Sequence, residues 1–188
     1  MASYAPSIPL NGQTNTIHIY YRSGHERLVA TAADKQTVLY TVHRQTCKPH
    51  MSFYRSYPSP NGESALFIGT ASFHHFKSDI NVEVANVDIG MKKKGFMSNT
   101  YSFSAGPQGR WKWERDGALT SNLKLVDSHG YTIARFNNAS WSVTKQGTFD
   151  ILGMMDQLDL IMVSGLARVE YQRRSASTRN CAVIASGQ

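Results

Sequence analysis

Cysteine is nearly absent from this chain: only Cys47 and Cys181 occur, far apart and in no CxxC arrangement. A disulfide framework or a cysteine-based zinc site would need more thiols at closer spacing. Long apolar runs are missing too. The most apolar stretch, Leu160 to Val169, is roughly half of the about 20 residues that a bilayer-spanning helix requires. The amino terminus, MASYAPSIPLNGQTN, has no basic segment followed by an apolar one, and no Gly follows Met1 for myristoylation. These absences predict a cytoplasmic protein with reduced thiols and no transmembrane segment, peripheral at a membrane if it meets one at all. Acid is also scarce, with 13 Asp+Glu against 20 Lys+Arg and a formal net charge of +7. That balance favours anionic partners, phospholipid headgroups or nucleic acid, without choosing between them.

Catalytic signatures are lacking as well. There is no GxSxG elbow, no P-loop and no HExxH pattern. His74 and His75 are adjacent, but on a strand their rings would point to opposite faces and could not hold one ion together. The expectation is a non-enzymatic protein with no catalytic residue, no metal and no cofactor.

What the chain does have is short-period alternation. Ile17, Ile19 and Tyr21 alternate with His18 and Tyr20; Val38, Tyr40 and Val42 repeat the pattern, as do Ile80, Val82 and Val84. Trp111 and Trp113 flank Lys112, Leu123 and Leu125 flank Lys124, and Trp141/Val143 and Phe149/Ile151 follow. Alternate strand residues face opposite sides, so each run offers one apolar and one wetter face. Turn signals separate the runs at Ser23-Gly24, Asn61-Gly62, Asp116-Gly117, His129-Gly130 and Gln146-Gly147. The two prolines of Tyr57-Pro58-Ser59-Pro60 predict a loop over residues 57–63. Many short strands with such punctuation read as an all-β sandwich or barrel.

From Met154 the period changes. The segment MMDQLDLIMVSGLARVEY contains no proline, carries Asp156 and Asp159 near its start, and is followed by Arg173 and Arg174. Acid first and base last complement a helix dipole. A helix apolar nearly all round must be buried. Too short for a bilayer, it belongs inside the protein, and only a barrel can cover every side of it. Arg168, inside the apolar run, is expected to pair with a carboxylate or with strand-end carbonyls where the helix emerges.

Three features, in this order, carry a resemblance: Trp111-Lys112-Trp113, Ile133-Ala134-Arg135-Phe136, and the helix from Asp159 to Arg174. The chain resembles the tubby C-terminal-like superfamily, which includes tubby proteins, LURP-one-related proteins and phospholipid scramblases, and most of all its small fungal members. The likeness is best from about residue 95 to 174. It implies a closed barrel around a central C-terminal helix, in agreement with the residue pattern. The expected fold is therefore mainly β, a closed antiparallel β-barrel of about twelve strands enclosing a hydrophobic helix. The expected organisation is a flexible N-terminus (1–14), a barrel over 15–174 with the helix at about 154–172, and a C-terminal tail (175–188). The resemblance also implies recognition of anionic phospholipids, phosphoinositides first. The ending SASTRNCAVIASGQ lacks the acidic residues and the length of a scramblase tail.

The densest basic region supplies the candidate ligand-binding residues: Lys92, Lys93, Lys94, Arg110, Lys112 and Arg115, with Glu114 the one acid among them. Lys112, between two inward tryptophans, should face outward. Phe96 and Met97 beside the lysine triplet could enter a headgroup layer. Near an anionic surface each such charge is worth on the order of 1 kcal/mol. Two alternatives stay open. One is a protein-interaction scaffold using a strand edge or the 57–63 segment; the other is single-stranded nucleic-acid binding by Trp111, Trp113 and Trp141 beside the arginines.

Overall fold

A computed structural model describes residues 15–59, 62–74, 77–95, 98–139, 142 and 144–185, with only the backbone of residues 62–63 and 178–185. The predicted flexible N-terminus and Phe96, Met97, His75 and Trp141 lie outside the described residues.

The strands are β1 (Asn15–Arg22), β2 (Arg27–Thr31), β3 (Val38–Arg44), β4 (Met51–Ser59), β5 (Gly62–Phe73), β6 (Ile80–Val84) and β7 (Val87–Asp88). They continue with β8 (Lys92–Lys93), β9 (Tyr101–Ser104), β10 (Arg110–Arg115), β11 (Leu123–Val126), β12 (Thr132–Asn138) and β13 (Lys145–Ile151), before helix α1 (Leu158–Ala185). All thirteen join one antiparallel sheet in the order β7-β6-β5-β4-β3-β2-β1-β13-β12-β11-β10-β9-β8. Every neighbour is sequential except β1 with β13, so short hairpins make nearly all the connections.

The two end strands, β7 and β8, are separated in the chain by residues 89–91 alone. A linker that short spans only about 3.3–3.6 Å per residue, so the sheet must curl until its ends approach. The hydrogen-bonded ladder is nevertheless not closed. β7 and β8 do not pair, and the ends meet through an isolated bridge in which Ile80 N–H donates to Met91 O (3.0 Å) and Met91 N–H to Ile80 O (2.8 Å). The observed architecture is a mainly β, curved thirteen-stranded sheet with one C-terminal helix packed on it.

The alternating residues lie on the predicted sides. Ile17, Ile19, Val82, Trp111, Trp113, Leu123 and Leu125 are buried in one core together with the helix residues. Three expectations change. Tyr57, Pro58 and Ser59 lie in β4, paired with Ser64, Glu63 and Gly62 of β5, so the expected loop is the end of a long hairpin. Proline fits there because the hairpin end is exposed, as Pro58 itself is. Gln146-Gly147 is not a turn but the interior of β13. A Cβ at position 147 would sit 2.4 Å from Asn137 O and 2.6 Å from Phe136 Cζ, so glycine is there for close strand approach. The helix begins at Leu158, after a 3₁₀ turn over Met155–Gln157, and continues to Ala185 through the expected tail. The segment Ser175–Ala185 contains neither Pro nor Gly, so nothing in it breaks a helix.

Every residue from Leu160 to Glu170 is buried. The helix has no wet side there, and the sheet touches it from several directions. Trp113 Nε1 of β10 donates to Ser164 Oγ at 3.0 Å, and Tyr40 Oη of β3 donates to Asp159 Oδ1 at 2.7 Å. Gly165 allows the closest approach: a Cβ there would lie 2.7 Å from Phe149 Cε1 and 2.9 Å from Trp113 Cζ2. In an open helix Gly→Ala gains about 1 kcal/mol. Here the two rings would have to move, at an overpacking cost of about 1–3 kcal/mol. Gly165→Ala is therefore expected to lower the urea midpoint with an unchanged m-value; a raised midpoint would show that the helix–sheet contact is looser than described.

Candidate anion-binding cleft

Strand parity divides the six predicted basic residues. On β10, Trp111 and Trp113 are fully buried, so Lys112 faces outward with Arg110, while Arg115 shares the tryptophans' side. Across the sheet Lys112 lies opposite Ser102 of β9, which lies opposite Lys92 of β8, forming one outward row. Lys93 lies opposite Tyr101 and Tyr101 opposite Trp113, so Lys93 belongs to the inner side. Lys94 follows the end of β8 and is exposed.

The outward row is partly neutralised. Lys112 Nζ sits 3.0 Å from Glu114 Oε2, and Lys124 Nζ sits 3.4 Å from Glu114 Oε1. Arg135 pairs with Asp116 at 3.1 Å. These surface pairs add little stability, yet they occupy the charge that the sequence reading assigned to ligand.

The inner pair points elsewhere. Lys93 and Arg115 line an open cleft of about 840 Å³ at the end of the sheet where α1 emerges, together with Arg168, Arg173 and Arg174 of the helix. His50, at the start of the chain into β4, and His74, just after β5, complete the basic lining. Among the described residues no Asp or Glu lines it. Asp79 Oδ1 accepts from the Lys93 backbone N–H at 3.2 Å, and Glu170 is wholly buried and bound by arginines. The opening lies where the sheet stops and the helix continues.

Aromatic rings floor the cleft and hold its cations. Tyr101 and Tyr171 lie 5.6 Å apart and Phe73 and Tyr171 6.1 Å apart. The Arg168 guanidinium sits 4.6 Å from the Tyr101 ring centroid and that of Arg174 4.9 Å from Phe73, both within cation–π range. His50 Nδ1 accepts from the Phe73 backbone N–H at 3.1 Å.

Arg168 is the unusual member, only 3% exposed. Its Nη2 donates to Asn99 O at 3.2 Å and its Nη1 reaches Gln172 Oε1 at 3.5 Å, while Nε has no hydrogen-bond partner among the described residues. The carbonyl partner was anticipated from sequence, and no carboxylate joins it among the described residues. Burial, and with it the charge of Arg115, lowers its pKa, against the raising influence of Tyr101 and Tyr171. A buried guanidinium with an unmatched donor and a like charge facing it stands in an environment that an anion would relieve.

Arg173 and Arg174 of the cleft also belong to a charge cluster around Glu170. Glu170 receives Arg173 Nε and Nη2 (both 2.9 Å), Arg174 Nε (2.8 Å) and Arg44 Nη2 (3.1 Å). Arg44 Nη1 also donates to His25 O and Arg174 Nη2 to Gln45 O. The cluster thus ties helix to sheet at its exit. The helical pair Arg173-Arg174, read from sequence as dipole compensation, is held by this carboxylate.

His50, Asn99, Tyr101, Arg168, Tyr171, Arg173 and Arg174 were absent from the sequence-derived site. The usable signals were Arg168 within an apolar run and the parity that separates Arg115 from Lys112. Trp111 and Trp113 show no exposed face and cannot stack on bases, which removes them from the nucleic-acid reading. No group of three or more His, Cys, Asp or Glu that could hold a metal occurs among the described residues. No described helix is long and apolar enough to cross a membrane.

A mainly β, curved sheet with one C-terminal helix packed on it, and a cationic cleft where the helix leaves it, defines the class of protein. The chain belongs to a family of unknown function, DUF6593, whose model matches residues 23–175. The match covers the described sheet from the β1–β2 turn onward and the helix through the cleft. No curated protein and no solved structure matches the chain.

The Glu170 cluster predicts a pH dependence. Burial alone would raise the Glu170 carboxyl, but hydrogen bonds from Arg173 and Arg174 and the charge of Arg44 outweigh it and hold the pKa below the ordinary 4.5. A carboxyl lowered by folding stabilises the protein above its unfolded value and loses that contribution as pH falls through the folded one. Glu170→Gln is expected to cost about 3–5 kcal/mol at pH 7, as for one member removed from a buried pair. In denaturation curves from pH 7 to pH 3 the gap to wild type should narrow below about pH 4.5; a gap independent of pH would count against the cluster's role.

Proposed function

We propose that this protein is a non-enzymatic module that recognises phosphate-bearing anions, presented first of all by phospholipid headgroups at a membrane surface. The observation that carries the reading is the cleft at the helix exit, lined by Lys93, Arg115, Arg168, Arg173 and Arg174 with no carboxylate on its walls among the described residues. Guanidinium groups present planar donor pairs matched to phosphate oxygens. The volume of about 840 Å³ falls within the range of small-ligand sites. The surrounding loops add Lys48, Lys77 and Lys94 on exposed positions, so this end of the sheet could meet an anionic bilayer with the cleft facing it.

In this reading the sheet is a barrel of the tubby C-terminal-like kind, completed across the Ile80–Met91 bridge, and the lipid-facing surface is its helix-exit end. The outward row Lys92–Lys112 and Arg110 contributes long-range attraction, and Lys93 and Arg115 contribute contacts. A cytoplasmic, peripherally membrane-associated protein follows. A second reading rests on Tyr57, Leu66 and Phe67, exposed on the β4–β5 hairpin at 47%, 55% and 48%. Such residues suit a protein-interaction scaffold.

Liposome co-sedimentation tests the proposal. Wild type should bind phosphatidylcholine vesicles containing a few per cent phosphoinositide and weaken on raising salt, because exposed charges are screened. Lys93→Ala with Arg115→Ala should reduce binding at least tenfold, and Lys112→Ala less than twofold. Equal binding by wild type and the double variant would refute the cleft; no binding by wild type, with one stoichiometric protein partner captured through the hairpin, would favour the scaffold.

A further inference from the structure

The carboxy-terminal turns of the cleft carry hydroxyls as well as cations: Ser175 and Ser177 both line it. Ser175 is half-buried and engaged with neighbours, whereas Ser177 is exposed. On α1, Arg174 and Arg173 precede Ser177 by three and four residues, the spacing that places side chains together on one helix face. The same spacing in the linear sequence, arginine three residues before a serine, is the basic approach that arginine-directed protein kinases read.

We propose that Ser177 is a phosphorylation site whose phosphate occupies the cleft and excludes an external anion. The inference rests on the anion-binding reading and adds its regulation. Transfer forms the Ser177 Oγ–phosphorus bond and breaks the bond between the γ-phosphorus of ATP and its bridging oxygen. ADP leaves, and the hydroxyl proton passes to the kinase's base. The product places nearly two negative charges and three acceptor oxygens beside Arg173 and Arg174 and across the cleft from Lys93 and Arg115. A phosphate opposite an arginine cluster makes charge-assisted hydrogen bonds, and Arg173 and Arg174, on the same helix face as Ser177, are the nearest donors. A tethered phosphate has an effective concentration in the millimolar range, so it displaces a ligand of ordinary micromolar affinity. Ser177 beyond the buried part of the helix is within reach of a kinase because isolated helical turns open readily.

The experiment has three arms on the full chain. First, pyrophosphate binding to the unmodified protein is measured by calorimetry; absence of binding sinks the cleft reading itself. Second, the protein is incubated with ATP and a calmodulin-dependent kinase of R-x-x-S preference, and the sites are mapped by mass spectrometry against Ser177→Ala. Third, phosphoserine is incorporated at position 177 during translation and its ³¹P resonance is titrated. Incorporation at Ser177, a fall of at least tenfold in pyrophosphate affinity, and a phosphoserine ionisation below its usual value of about 6 that rises part of the way back in Lys93→Ala/Arg115→Ala are expected. Failure of the kinase to modify Ser177, or an ordinary ionisation unaffected by the two substitutions, overturns the inference whatever the first arm gives.

Discussion

Helix α1 has no wet side between Leu160 and Glu170, and the rest of the molecule follows from that. A single apolar helix face needs one covering layer; a helix apolar all round needs a surround. The sheet supplies it by curling until β7 and β8, its ends, are separated by three residues of chain. Small residues set how tightly the surround can close. Gly165 brings the helix against Phe149 and Trp113, and Gly147 brings β13 against β12. The polar groups caught inside are matched in place, Trp113 by Ser164 and Tyr40 by Asp159.

The same constraint produces the site. A helix longer than the sheet is deep must leave it, and where it leaves, apolar burial gives way to charge within a turn. Among the described residues Glu170 is the last wholly buried side chain of the helix, and three arginines from helix and sheet converge on it. Two residues earlier, Arg168 is buried with no carboxylate partner among the described residues. These neighbours differ in what they need. Glu170 is satisfied several times over, whereas Arg168 Nε has no hydrogen-bond partner among the described residues and feels the like charge of Arg115. The stability of the exit and its affinity for anions both draw on Arg173 and Arg174, which bind Glu170 and line the cleft, while Arg115 and Arg168 add to the second.

Much of this was legible in the residues. The alternation of Ile17/Ile19, Trp111/Trp113 and Leu123/Leu125 gave the buried faces, and the all-round apolarity of 160–169 gave the enclosed helix. The β4–β5 hairpin was obscured by Pro58, which an exposed strand end tolerates. Gln146-Gly147 looked like a turn because Gly serves close packing and turning equally well, and only the partner strand tells them apart. The site was half visible. Charge density along the chain found Lys93 and Arg115, but also Lys112, whose charge is shared with Glu114 on the other face. Which cations share a cleft depends on where strands end around the helix, and His50, Asn99 and Arg174 come together only through that geometry.

The central claim is that the cleft at the helix exit is an anion site organised around Arg168. The most direct measurement follows the arginine side-chain Nε–Hε resonances by ¹H–¹⁵N NMR while inorganic phosphate is added at constant ionic strength. The account predicts a saturable shift of Arg168 Nε–Hε, with Arg115 moving alongside it and Arg110, on the outer face, unchanged. Shifts confined to the outward row, or uniform small drifts without saturation, would contradict it.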